Sequence, residues 1–331
     1  MKRAAWLMAL ALLARPAAAQ APIVVRLATR TPDGSAASVV LKELAETWKT
    51  ASGGRVVLRV FPGGVAGDDP DVVRKLRAGT LEAARLTAAG LGEIERSSFV
   101  LGIPLAYDSD AEASAVLEKL RPRLEAALEK QGLLVLHWSD DGWVRFFATK
   151  PVAAPAELRA LKLLSWGDDL AGLELWRAAG FQPVPLAFAQ IAGALRSGEV
   201  QALGVPPSLA LVSQAFVTAR NMTDLRWQLL PAATVVTATA WAKVPADLQP
   251  ALRDAARAAG DRLRSEVRDR EGRDIEAMTR RGLVVVPVSA GQRAEWQKLT
   301  QSFYPRIKGA MVPADAFDAA FGARDEYRKR R

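Results

Sequence analysis

The chain of 331 residues has no cysteine and one histidine, His137. The first absence excludes disulfides, thiolate nucleophiles, iron–sulfur clusters and cysteine-based zinc sites; the second excludes a centre built from several imidazoles. No catalytic residue, metal or cofactor is therefore expected. Long apolar runs are also scarce. The run at residues 4–14 (AAWLMALALLA) is too short for a bilayer, which needs about 20 residues. An acidic excess is lacking too, since 45 Lys and Arg face 36 Asp and Glu for a net +9. Lys2, Arg3 and Arg15 lie in the N-terminal segment, and residues 328–331 supply four more positive charges, so the body between is near neutral. Elsewhere the charges alternate along helical stretches, a solvated pattern that argues against nucleic acid as a partner.

What is present begins with an export signal over residues 1–20. Lys2 and Arg3 precede the apolar run, and Ala17, Ala18 and Ala19 offer small residues for cleavage near Ala19, ahead of Gln20. A soluble protein released into the periplasm is the expected product. With half its residues apolar, the remaining length suffices for two cores.

The mature chain opens on a strand at 23–29, a helix to about Ala51 capped by Asp33 or Ser35, and a period-two strand at 55–61. A loop with Gly63, Gly64 and Gly67, a short helix and a strand at 81–87 complete a β-α-β-α-β unit, which implies a mostly parallel sheet with helices on its faces. A helix at 112–131 leads to a strand-like stretch at 133–149, broken at Asp140, Asp141 and Gly142. The same unit then recurs, with strands at 161–166, 182–186 and 202–205 and helices at 168–179 and from Phe188 to Gly198. The β-branched run at 232–241 returns the chain to the first lobe. Residues 245–281 read as one helix of roughly 50 Å at 1.5 Å per residue, or as two with a break at Gly272. The division expected is 21–138 with 232–260 for one lobe, 139–231 with 283–331 for the other, and 245–281 as a spine across both.

An export signal, two α/β lobes and a spine helix together resemble the extracytoplasmic solute-binding proteins of tripartite ATP-independent periplasmic (TRAP) transporters, the DctP-type family. The segments that carry the resemblance are 48–55, the glycine loop at 62–67, PVAAPAELRALKLL at 151–164 and IAGALRSGEVQALG at 191–204. The resemblance implies a two-lobe, type II-like periplasmic binding fold. It also implies a small-molecule ligand in the interlobe cleft, TRAP permease subunits as partners and no enzymatic activity. Where the family usually reads GLKIR, with an Arg that pairs bidentately with a ligand carboxylate, this chain has Leu164. The later turn is altered as well and carries Val205, Pro206 and Pro207. These departures, with WSDDGWVRFF and KLLSWGDD, resemble a divergent branch associated with a tetratricopeptide-repeat partner and hydrophobic ligands.

A carboxylate buried without a charged partner costs several kcal/mol, on the order of the penalty for an unpaired buried ion, so loss of the Arg favours a hydrophobic or non-carboxylate ligand. Trp138, Trp143, Trp166, Trp227 and Trp241 lie near strand ends or crossing segments and could wall an apolar cleft or simply fill core. Leu164, Val205 and Pro206 complete that candidate wall. Arg145 is the alternative: as a surrogate cation it would restore carboxylate binding, unless Asp140 or Asp141 engages it. Asp168 and Asp169 are read as helix caps rather than an acid–base pair, and His137, between Leu136 and Trp138, as a packed residue.

Overall fold

The computed structural model describes residues 21–167, 169–187 and 190–330. The expected signal at 1–20, together with Asp168 and Phe188, lies outside the described residues. In chain order the first unit comprises β1 (Ile23–Thr29), α1 (Ala36–Ala51), β2 (Val56–Phe61), α2 (Asp69–Arg77) and β3 (Ala83–Thr87). Then come α3 (Ala88–Ile94), α4 (Asp110–Lys130) and β4 (Leu133–Ala148). The second unit holds α5 (Pro155–Arg159), β5 (Lys162–Trp166), α6 (Leu170–Ala178), β6 (Gln182–Leu186), α7 (Ile191–Ser197) and β7 (Ala202–Val205). The chain closes with α8 (Pro207–Val212), β8 (Asn221–Thr223), β9 (Gln228–Thr237), α9 (Ala238–Trp241), α10 (Gln249–Thr279), β10 (Val284–Val286), α11 (Ala290–Ile307) and α12 (Ala314–Lys329).

Local chemistry accounts for these boundaries. The Ser35 hydroxyl accepts from the Ser38 N–H to start α1, whose buried Val40, Leu41, Leu44 and Trp48 recur at helical spacing on one face. The 232–241 run is not one strand: β9 ends at Thr237, whose hydroxyl caps the Ala240 N–H and turns the chain into α9. The stretch at 133–149 is one strand, and the expected interruption survives as a register shift between Asp140 and Trp143, with Gly142 at φ 94°.

The sheet order is β2-β1-β3-β9-β4-β7-β5-β6, with β8 beside β4 and β10 beside β8. β1 pairs in parallel with β2 and β3, and β5 pairs in parallel with β6 and β7. Each unit thus places its first strand between its second and third, then adds an antiparallel long strand: β9 beside β3, and β4 beside β7. The crossing strands β4 and β9 pair with each other from Leu133 to Val144. The fold is the mixed, mostly parallel sheet flanked by helices that the sequence implies.

α10 runs unbroken for 31 residues, about 46 Å, with neither Gly260 nor Gly272 ending it. Gly260 instead permits a close approach: a Cβ there would lie 2.6 Å from the His137 Cβ on β4. α12 lies along α4, where Arg328 bonds Asp108 and Glu112. The first basic residue of the tail is therefore an intramolecular clamp instead of a solvated end.

Gly260→Ala should lower the melting temperature despite the better helix former, because overpacking costs about 1–3 kcal/mol. Gly272→Ala, where no atom lies within 4 Å, should raise it through a propensity gain of about 0.5–1 kcal/mol. Thermal unfolding of the two variants beside the parent checks both signs.

Candidate functional site

The carboxyl ends of β1, β3, β5 and β7 face one cavity of about 780 Å³, where ligands of such sheets bind. From the first unit come Thr29 to Ala37, Gly63, Gly64, Arg85 and Thr87; from the second come Leu163 to Trp166, Pro206 and Leu209. The crossing strands and their flanks add Asp141, Trp143, Phe146, Trp227 and Gln228, and α10 adds Val267, Arg270, Glu271 and Asp274. Gly63 and Gly64, at φ 71° and 73°, fold the loop back so that their N–H groups donate to the Thr31 and Thr29 carbonyls at the rim.

Of the residues singled out in the sequence, Trp143, Leu164, Trp166, Pro206 and Trp227 meet in this wall. Trp138 lies elsewhere in the core and donates its Nε1–H to Glu125. Trp241 packs on Trp48, with ring centroids 5.9 Å apart, and Val205 is buried on β7 opposite Arg145. Sequence reasoning did not single out Trp176, which stacks on Trp227 at 5.5 Å, or Phe303 and Ile307 from α11. It also passed over Arg85, the one charged residue of the AARLT strand; a lone cation in a small, buried strand is a signal that could have found it.

Arg145 is outside the cavity wall. Its Nε and Nη2 donate to Glu271 Oε1 at 3.1 and 3.0 Å, and its Nη1 to Asp224 at 2.8 Å. Glu271 also accepts from Arg226 at 3.0 Å, and the Arg226 guanidinium lies over Trp143, whose Nε1–H donates to Asp110. The expected partners Asp140 and Asp141 do not engage Arg145. Asp141 takes Arg85 instead, with Oδ1 2.7 Å from Nη2 and Oδ2 3.4 Å from Nη1, and Arg85 also donates to Thr31. The Arg85 side chain is 1% exposed and its Nε has no partner among the described residues, whereas Asp141 stays 28% exposed. Arg30, 26% exposed, faces Asp68 at a long 4.0 Å. Asp169 caps α6 through the Gly172 N–H.

Burial dominates two titrations on β4. His137 is pushed down to about 3 by burial, assisted by Arg85, and is therefore neutral. Asp140 is pushed up to about 6 by burial, which Arg268 offsets in part and Asp141 reinforces. Among the described residues no cluster of His, Asp or Glu suited to a metal ion is present.

An apolar, aromatic chamber edged with a few fixed charges, at the strand ends of two similar units, is a site for holding a small molecule. Comparison with known proteins agrees. Residues 27–309 match the family described as bacterial extracellular solute-binding protein, family 7 (DctP), and the chain belongs to it. It is similar to the 2,3-diketo-L-gulonate-binding periplasmic protein YiaO of Escherichia coli (22% identity; 79% of this chain and 80% of that one). It is also similar to the C4-dicarboxylate-binding periplasmic protein DctP of Rhodobacter capsulatus (25%; 87% and 86%). Its fold matches a crystal structure of a TRAP periplasmic solute-binding protein from Ralstonia eutropha H16 with bound (S)-2-acetolactate, at TM-score 0.84 and 20% identity over 92% of this chain and 99% of that one.

The folded protein holds the Asp140 proton to about pH 6, whereas the unfolded chain releases it near the ordinary value of 3.8. Folding stability is therefore lost as pH rises through that window, by about 3 kcal/mol for two units, and is not regained above it. Asp140→Asn keeps the acceptor for the Gly142 N–H. It should raise the melting temperature by several degrees at about pH 7.5 and change it little at about pH 4. A pH series of thermal scans measures the difference.

Proposed function

We propose that this protein is the extracytoplasmic solute-binding subunit of a TRAP transporter, exported by the signal at 1–20, which captures an organic acid with an apolar body and delivers it to membrane permease subunits. The ligand class departs from the hydrophobic or non-carboxylate ligand expected from Leu164. The relatives are named for a sugar-derived acid and for C4-dicarboxylates, and the Ralstonia structure holds an acetolactate. These favour the carboxylate alternative. Arg145 is poorly placed as its anchor, because Glu271 and Asp224 already hold it away from the cavity wall. Arg30, which lines the cavity at the end of β1, is the candidate for that contact.

The observation that supports this reading is the cavity itself, whose lining combines Trp143, Phe146, Trp166, Trp176, Trp227 and Phe303 with the cations Arg30, Arg85 and Arg270. At about 780 Å³ it exceeds what a four-carbon acid fills and suits a ligand with a larger body. Closure would bend β4 and β9 near Gly142, driven by tighter binding in the closed form. The tetratricopeptide-repeat partner rests on the sequence resemblance alone.

The test is calorimetry and thermal unfolding of the mature protein with acids running from succinate to 3-phenylpropanoate, with tryptophan fluorescence reporting closure. Acids with larger apolar bodies should bind more tightly, and saturation near 100 times Kd should raise the melting temperature by about 5 °C. Arg30→Gln should weaken binding by roughly 10- to 100-fold, the worth of one charge-assisted contact. Arg145→Gln should leave affinity unchanged and lower the melting temperature, because it strips a partner from Glu271. Silence across the acid panel overturns the reading.

A further inference from the structure

Three cations line the cavity among the described residues: Arg30, Arg85 and Arg270. Arg85 is buried and held by Asp141 and Thr31, and Arg30 faces Asp68. Arg270, on α10, is exposed, and among the described residues its guanidinium makes no hydrogen bond and no ion pair. Five of the six acids in the wall are engaged elsewhere. Asp33 takes Lys42, Asp68 faces Arg30, Asp141 takes Arg85, Asp169 caps α6, and Glu271 takes Arg145 and Arg226. The sixth, Asp274, lies one turn beyond Arg270 and is its competitor. Burial pushes the Asp274 carboxyl up, and Arg270 and Arg273 both pull it back. In a helical i,i+4 pair the cation N-terminal to the acid is the weaker order, which leaves the Arg270 fork open to a better acceptor.

The helix aims this residue. Leu263, Val267, Arg270 and Asp274 follow one another at steps of four, three and four, which puts them on one line along α10. Leu263 is buried, Val267 comes within 3.3 Å of where a Cβ on Gly142 would stand, and Val267, Arg270 and Asp274 line the cavity. Pro206 approaches the same Gly142 position at 4.0 Å, and α8, which starts at the next residue, lies along α10. The line thus leaves the core at the strand crossing and enters the ligand space beside α8, whose exposed Ser208 also lines the cavity. Granted the organic-acid ligand proposed above, on which this step rests, we infer that Arg270 binds a carboxylate of the ligand, in addition to the contact assigned to Arg30. A planar guanidinium suits that acceptor, since it can donate two parallel hydrogen bonds. The charge that the family places at the position of Leu164 on β5 is then supplied from α10, and Leu164 stays buried and apolar without loss of acid recognition. Arg270 is a specificity-determining residue of the site.

Two matched pairs read charge apart from shape: 3-phenylpropanoate with 3-phenylpropanamide, and 4-methylpentanoate with 4-methylpentanamide. Calorimetry on the unmodified protein should find the acid roughly 10-fold or more tighter than the amide in one pair or both. Arg270→Gln should weaken acid binding by roughly 10- to 100-fold and lower the acid-to-amide ratio by the same factor. The melting temperature of the free variant should stay at the parent value, because no intramolecular pair is lost. Arg270→Lys keeps the charge without the fork and should lose less than Arg270→Gln. Full acid affinity in Arg270→Gln overturns the assignment and leaves the organic-acid reading intact. Amides bound as tightly as acids in both pairs by the unmodified protein, or no binding by either acid, overturn both.

Discussion

From Leu133 to Val144 β4 pairs with β9, and from Arg145 to Ala148 it pairs with β7, so one strand belongs to both halves of the sheet. The change of partner falls beside Gly142, whose φ of 94° few other residues adopt without strain. The residues around it therefore lie where the carboxyl ends of two parallel sets converge. Trp143 and Phe146 face the cavity from there because the strand cannot leave one sheet for the other without passing between them. The cavity is a product of topology before it is a product of side chains.

The charges on this crossing follow from its burial. Arg145 is 9% exposed and Glu271 11%, and such a pair is tolerated because each has several charged hydrogen bonds. The same arrangement keeps Arg145 out of the site and ties α10 to β4 and to the segment carrying Asp224 and Arg226. Arg85 and Asp141 solve the same problem on the cavity side, with one difference: there the acid stays partly open to the ligand space. Two buried arginines thus have different roles, set by which acid engages each.

The repeated β-α-β-α-β units, the crossing strands and the long helix were legible in the sequence, because period-two and period-3.6 patterns report directly on which face is buried. Most strand limits came within two residues. The site was legible in part. Trp143, Trp166 and Trp227 stand at strand ends or on crossing segments, so order along the chain places them; Trp138 shares the core of Trp143 and Trp227 but sits farther back along β4, at Glu125, and Trp241 packs into another core. Distance from the strand ends and the turn of β9 into α9 at Thr237 decide between these outcomes, and neither is marked by the tryptophans' own neighbours in sequence. The partners of Arg145 were out of reach for a different reason. Glu271 lies 126 residues away, and α10 is charged almost throughout, so nothing local marks that one carboxylate.

The spacing along α10 has a consequence for how the chain can vary. Gly260 against His137, buried Leu263, Val267 beside Gly142, Glu271 on Arg145 and Asp274 at the cavity follow one another at intervals of three or four. They form a single stripe. Deleting or inserting one residue within it turns every later member by about 100° and removes Glu271 from Arg145 in the same stroke. Between positions 260 and 274 the helix can exchange side chains on its outer face but cannot change length, whereas in the stretch after Arg280, where the chain leaves the helix, added residues leave the stripe in place.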